Sequence, residues 1–440
     1  MTSEIWVDDN VQSQLPAVGA AAMALAKDLF PLTRSITGGG LRATIARLSK
    51  IVPLQATEIP SGTKVFDWVV PSEWSLDEAY IEDSTGIRIV DIRESNLHVV
   101  SYSEPIERDM TLAELRPHLF SLPEYPDWIP YRTSYYAPNW GFCISDRQLK
   151  SLPEGRYRVV IRSRLSAGSL TLAEHVHLGE VEETVLVFAH DCHPSLANDN
   201  LSGVCVAVLL AEFLSTRKTH YTYRFVFAPA TIGSIAWLAT NRASLHHIRH
   251  GLVLSLLGDG GPLHYKETRG GIHDIDRAAW HVLSTEFPGA KKLDFIPWGY
   301  DERQFGSPGI NLAVGRITRT PNGEFPEYHS SADNLDFISS DALAESWLAC
   351  LKVIEVLEQN KTFINLQPDG EPQLGRRGLY RSLGGYQDIP ERQLALLWVL
   401  NQSDGSNSLL DIATRAQLPF HVIASAARDL VGADLLSSVR

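Results

Sequence analysis

The chain has 440 residues, 44% of them hydrophobic, enough for about three folded units with a sizeable core, which excludes a small disulfide-stapled scaffold and a disordered tail protein. With 39 Lys and Arg against 52 Asp and Glu, the net charge of −13 repels phosphate backbones, so nucleic acid is not expected as the main partner. The start, MTSEIWVDDN, lacks a basic segment followed by an apolar run, no stretch reaches the roughly 20 apolar residues that span a bilayer, and the four cysteines form no paired motif, so the expectation is a cytoplasmic, soluble protein with reduced thiols and no membrane partner.

Residues 17–30 and 40–49 carry apolar side chains at helical spacing on either side of a polar turn, 33–38, and 1–63 are assigned to an α/β domain. Residues 64–150 change character: aromatics, prolines and alternating runs such as IRIVDI and LHVVSY predict a β-rich inserted domain. Its aromatic cluster, Trp128, Tyr131, Tyr135, Tyr136, Trp140 and Phe142, reads either as the core of that domain or as a lid that stacks on a substrate. Over 151–370 the α/β domain resumes, with RYRVVI (156–161), TVLVFA (184–189), YRFVFAP (223–229), GLVLSLL (251–257) and INLAVG (310–315) as near-continuous apolar strands. Between them, Val204, Ala207, Val208, Ala211 and Leu214 share one helical face, and Ser340 is placed to cap a helix carrying Leu343, Trp347, Leu351, Ile354 and Leu357. This alternation predicts an α/β fold with a largely parallel sheet. Residues 371–440 read as three short helices with a turn at 417–419 and resemble a winged helix-turn-helix. From 391 onward four Arg face five Asp and Glu, which favours a packing or dimerisation module, compatible with a homo-oligomer, over a DNA-reading regulator.

In such sheets ligands bind beyond the carboxyl ends of the strands. The run 184–189 leads into His190-Asp-Cys-His193-Pro-Ser-Leu-Ala-Asn-Asp199-Asn-Leu-Ser-Gly, and two imidazoles plus a carboxylate on one strand-end loop are donors that suit Zn²⁺. A later strand is followed by Asp259 in Leu-Leu-Gly-Asp-Gly-Gly, and His329 stands in Glu-Tyr-His-Ser-Ser-Ala-Asp before a helix. Three strand ends that each deliver a His or Asp predict a converging metal site. Cys192, with no assigned base beside it, reads as an inert thiol rather than a nucleophile or ligand.

The order of these residues resembles the co-catalytic di-zinc aminopeptidase superfamily. Ala-Asn-Asp199-Asn-Leu-Ser-Gly is similar to its metal-bridging loop and Tyr328-His329 to its last ligand motif, while Asp259 falls 28 residues after Thr231. Nearly the whole chain resembles a bacterial aminopeptidase-like family with an inserted β-rich domain and a C-terminal winged helix. That likeness rests on Phe30-Pro-Leu-Thr-Arg34-Ser-Ile-Thr-Gly, Asp67-Trp-Val-Val-Pro, Leu97-His-Val-Val-Ser-Tyr-Ser, Ile129-Pro-Tyr-Arg-Thr-Ser-Tyr, Cys192-His-Pro-Ser-Leu-Ala-Asn-Asp, Tyr300-Asp-Glu-Arg-Gln-Phe and Gln373-Leu-Gly-Arg-Arg-Gly-Leu-Tyr. Its members often accompany polysaccharide or natural-product pathways. The resemblance implies a zinc-aminopeptidase-like mixed sheet flanked by helices. It also implies a first metal position formed by His190 or His193 with Asp199 and Asp259, and a second that keeps only Asp199 and His329.

One departure stands out. Where the superfamily has Glu-Glu, general base then ligand, this chain has Ala230-Thr231. One well-formed zinc site and a weak or absent second one are therefore expected, with the base's work falling to Glu302 or Glu327 and the pocket lined by Tyr300, Asp301, Arg303 and Tyr328. The function expected is a zinc-dependent aminopeptidase-like hydrolase acting on an amide or acyl bond of a small amine-bearing molecule or short peptide, whose ammonium acidic residues would receive. The rival is a metal-binding, non-hydrolytic transferase or a catalytically silent homologue.

Overall fold

The computed structural model describes residues 6, 7, 9–379 and 391–439. Tyr380, which ends the 373–380 motif, and the rest of 380–390, expected in the C-terminal unit, lie outside the described residues. Eight strands form the central sheet: β1 (Gln55–Pro60), β2 (Ser169–His177), β3 (Thr184–His190), β4 (Thr222–Ala228), β5 (Ile248–Leu254), β6 (His264–Lys266), β7 (Lys291–Leu293) and β8 (Val314–Thr318). Their spatial order is β1-β2-β4-β3-β5-β8-β6-β7. The middle four, β4, β3, β5 and β8, run parallel, while β1, β2 and β6 join antiparallel, which makes the sheet mixed.

Every residue of β3 is buried, as a strand covered on both faces requires. Its side chains alternate between two cores: Val185, Val187 and Ala189 enter one, Leu186 and Phe188 the other. In β4, Tyr223, Phe225 and Phe227 oppose Val226 and Ala228 in the same way. The longer helices that accompany the sheet are α1 (Asp9–Leu29), α2 (Gly39–Leu48), α3 (Gly203–Ser215), α4 (Ile232–Thr240), α5 (Asp274–Glu286) and α6 (Ser340–Gln359). Side chains of α1, α3, α5 and α6 fill the first core, and α4 lies in the second. The segment Ala197–Ser215 has the length and apolarity to cross a membrane, contrary to the sequence expectation, yet it is 89% buried as the central core helix.

The inserted domain is built on an antiparallel sheet in the order Arg88–Asp91, Glu73–Glu82, Arg156–Ser166, Ile106–Thr111. The run 156–161, expected in the α/β sheet, belongs here instead, which carries the insertion past 150 to Ser166. The physical reason is alternation. Arg158, Arg162 and Arg164 reach Glu107, Glu78 and Asp77 of the neighbouring strands at 2.6, 2.8 and 2.8 Å, while Tyr157, Val159 and Ile161 fill the second core.

At the C-terminus α7 (Glu391–Gln402), α8 (Leu409–Ala416) and α9 (Phe420–Gly432) pack with an antiparallel sheet of Asp404–Ser408, Thr362–Asn365 and Leu436–Ser438, a winged helix-turn-helix. Thr362–Asn365 lies before the expected boundary at 371. Leu396, Leu409 and Ile423 belong to the same continuous core as the sheet, so this unit is fused to the α/β domain rather than tethered to it. On α9, Arg428 has a buried Nε, and Asp429 is paired with Arg392 at 2.7 Å.

Candidate metal centre

β3 ends on His190, whose side chain is fully buried, and the chain turns through His193 and Asp199 into α3. Both oxygens of the buried Asp199 carboxylate face an imidazole: Oδ1 lies 3.0 Å from His190 Nε2 and Oδ2 lies 3.0 Å from His329 Nε2. The His193 ring stands between them, 5.1 Å from that of His190 and 5.2 Å from that of His329. Ligand atoms of His190, His193 and Asp199 all lie within 4.8 Å of one another.

Charge favours ligation at His193 and Asp199. Burial, joined by the neighbouring His190 and His329 and opposed by Asp199, lowers His193 to about 3, so its nitrogens are neutral. Burial would raise the Asp199 carboxyl, but the three imidazoles outweigh it and hold the group well below the usual carboxylate range. Burial would lower His190, and the hydrogen bond and charge of Asp199 reverse the sign. An ionised carboxylate among imidazoles of this kind is a donor set that fits zinc.

Neighbouring residues fix these side chains. Asp333 receives the Asn198 and Asp199 amides at 2.5 and 2.9 Å, one on each oxygen. Tyr300 donates its hydroxyl to Asp199 Oδ1 at 3.1 Å and stacks on His190 at 4.9 Å, while Tyr328 stacks on His329 at 4.0 Å. The amide of Asn200 accepts from Leu256 N and donates to Leu254 O and His190 O, tying the loop to the end of β5. Arg34, 1% exposed, donates from Nε to His193 O at 2.9 Å. Arg34 stands in a sequence motif without an assigned role, Asp333 likewise, and Asn200 follows Asp199 directly; only the folded chain shows that they brace the centre.

Three predicted residues are not brought to the centre. Asp259 is engaged by the Gly261 and Thr320 amides, the Thr320 hydroxyl and the Asn198 side chain, at 2.6 to 3.3 Å, which uses both of its oxygens. Between Leu254 and Leu256, the residues that bond Asn200, stands Ser255, buried and with an unpartnered hydroxyl. Glu302, expected as a base, is 0% exposed and forms an ion pair with Lys266 at 2.8 Å, with Arg316 at 3.5 Å. Asp301, expected in the pocket wall, instead accepts from Thr231 N at 2.8 Å and Ser234 Oγ at 2.6 Å. Glu327 is half-buried, two residues before His329, and its carboxylate makes no hydrogen bond among the described residues.

A cavity of about 430 Å³ opens on His193 and His329, lined further by Ala230, Thr231, Cys192, Arg303 and the inserted domain's Trp68, Tyr131, Tyr135 and Tyr136. The aromatic cluster therefore divides: Tyr131, Tyr135 and Tyr136 line the cavity, Phe142 is 0% exposed in the second core, and Trp128 stacks on Tyr125. Thr231 adopts a left-handed φ of 63°, and Ala230 N donates to Cys192 Sγ at 3.3 Å. Burial pushes the Cys192 thiol up, which leaves it neutral. None of the lining residues is acidic, so the expected ammonium group has no carboxylate in the cavity wall. A larger groove, about 890 Å³, lies in the C-terminal unit and is lined by no histidine or cysteine.

The family described as a domain of unknown function (DUF4910) matches residues 23–360, and one described as a winged helix-turn-helix matches 361–438. A Clostridium acetobutylicum protein described as a putative polysaccharide biosynthesis protein with aminopeptidase-like domain is 48% identical over 421 residues, spanning 96% of this chain and 97% of its own. The crystal structure of a putative peptidase from Clostridium acetobutylicum is 46% identical and superimposes with a TM-score of 0.93 over 98% of both chains. A zinc aminopeptidase from Bacillus subtilis shares the fold at 12% identity, with a TM-score of 0.58 over 77% of this chain and 94% of its own.

Proposed function

The chain belongs to the DUF4910 family and has an aminopeptidase-like fold with a C-terminal winged helix, and from that premise we propose that it is a zinc-dependent hydrolase cleaving an amide or acyl bond of a small molecule in a biosynthetic pathway. The observation that carries the reading is the convergence of His190, His193 and Asp199 within 4.8 Å, with His329 on the second oxygen of Asp199. Zinc held by these residues would supply a Lewis acid for a carbonyl and a more acidic water. Tyr300 and Asp333 hold Asp199 in place, and the cavity presents His193 and His329 to a substrate under the aromatic roof. Glu302 is committed to Lys266, so the role of proton acceptor is assigned to Glu327, which stands two residues before His329 though outside the cavity lining. The description of the Clostridium relative supports a place in polysaccharide biosynthesis.

The side chains of Ala230 and Thr231 at the cavity wall favour a second reading, a metal-binding protein without hydrolytic activity. Elemental analysis and turnover separate the two. The full chain is expected to hold about one zinc, His193→Ala and Asp199→Ala to lose it, and Asp259→Asn to keep it. Zinc retained by both of the first two variants ends the metal assignment, whereas zinc without release of acid or amine from any acylated amine leaves only the second reading.

A further inference from the structure

Arg303 is the one Arg, Lys, Asp or Glu in the lining of the cavity over the metal centre. Neither of the carboxylates beside it in sequence lies within ion-pair distance of it: Asp301 Oδ1 accepts from Thr231 N and Ser234 Oγ, and Glu302 Oε1 meets Lys266. Arg303 forms no ion pair among the described residues, its Nε is buried without a partner, and its guanidinium lies 5.9 Å from the Trp298 ring centroid. A buried donor without a partner is costly, and the side chain that carries it lines the cavity. The lining also holds Trp68, Tyr131, Tyr135 and Tyr136, which contribute aromatic surface, and the Tyr131 and Tyr135 hydroxyls bond each other at 2.9 Å.

We propose that Arg303 is an anion-recognising specificity residue, and that the substrate is an N-acylated small molecule carrying a carboxylate or phosphate on a ring-shaped or apolar body, not a free ammonium. A guanidinium meets either oxyanion with two parallel hydrogen bonds, and the aromatic wall takes the body. The identity of the bond cut rests on the hydrolase reading above, whereas the anion site rests on the cavity wall alone.

The test uses the zinc-loaded full chain and four probes: N-acetyl-L-phenylalanine, its neutral amide N-acetyl-L-phenylalaninamide, the cationic L-phenylalaninamide, and phenyl phosphate. Binding is read by calorimetry and saturation-transfer NMR, and cleavage by acetate or ammonia release. At least one anionic probe is expected to bind about tenfold or more tighter than the neutral amide. Whichever of carboxylate and phosphate is preferred names the group. Arg303→Met is expected to erase the preference while keeping zinc and thermal stability, and Arg303→Lys to keep part of it. Equal or absent binding of the anions, or tighter binding of L-phenylalaninamide, overturns the proposal. Anion-selective binding without cleavage removes the hydrolase reading and leaves this one standing; cleavage of L-phenylalaninamide alone does the reverse.

Discussion

Lys266 and Glu302 are 2% and 0% exposed, and with Arg316 they form a buried ionic group one residue from the cavity-lining Arg303. A charge in such a place is held by its partner, so Glu302→Gln should leave Lys266 with a buried charge largely uncompensated and cost about 3–5 kcal/mol in urea unfolding, with zinc content unchanged. A base at this position would instead show its loss in turnover at unchanged stability. His190, His193, Asp199 and His329 were legible because each follows an apolar strand or stands on a loop before a helix, in a run of residue types that few other tasks require. Asp259 was not separable from them by spacing, because a carboxylate that receives four donors of its own surroundings looks the same in sequence as one that faces a cation. Whether Glu302 meets a proton or a lysine is likewise decided by Lys266, 36 residues away.

Helix α6 shows the element scale at its most legible. Its apolar stripe was read correctly, yet the cap lies one residue earlier than expected: Ser339, in extended backbone, accepts Ala342 N at 3.1 Å, and Ser340 is already helical. Ser339→Ala is accordingly expected to lower stability by about 1 kcal/mol and Ser340→Ala to change it by only a few tenths, measured as midpoint shifts at constant m. Strand Arg156–Ser166 is the opposite case. Its core residues, Val159, Val160 and Ile161, make an apolar triplet like those of β3 and β4, and the arginines at every second position before and after were the signal of a sheet with one charged face. Short strands such as β6 and β7, three residues each, carry too few side chains to show any period.

Across the whole molecule, acid tolerance should be set by histidines buried without partners. Burial lowers His250 to about 4; its Nδ1 has no hydrogen bond and its ring meets Tyr221 edge-on. Because the folded value lies below the unfolded one near 6.5, the unfolded chain binds the proton first, and stability present above about 6.5 is lost as the pH falls toward 4. The fall from 6.5 to about 4 corresponds to about 3 kcal/mol, so His250→Phe should lose about that much less than the parent between pH 7 and 4 in chemical denaturation. The α/β class, the insertion and the winged helix were all legible from strand-helix alternation and changes in composition, but the fusion of the C-terminal unit into the main core was not, since apolar helices look alike whichever neighbour they meet. One further feature joins the units. Residues 129–131 pair with 329–331 through Tyr131 N to His329 O and Ser331 N to Ile129 O, both 2.8 Å, so the inserted domain and a histidine of the centre are joined by the same antiparallel bridge. A displacement of residues 129–131 would be transmitted to His329 through these two bonds, so the cavity wall and the imidazole beside it share one anchor.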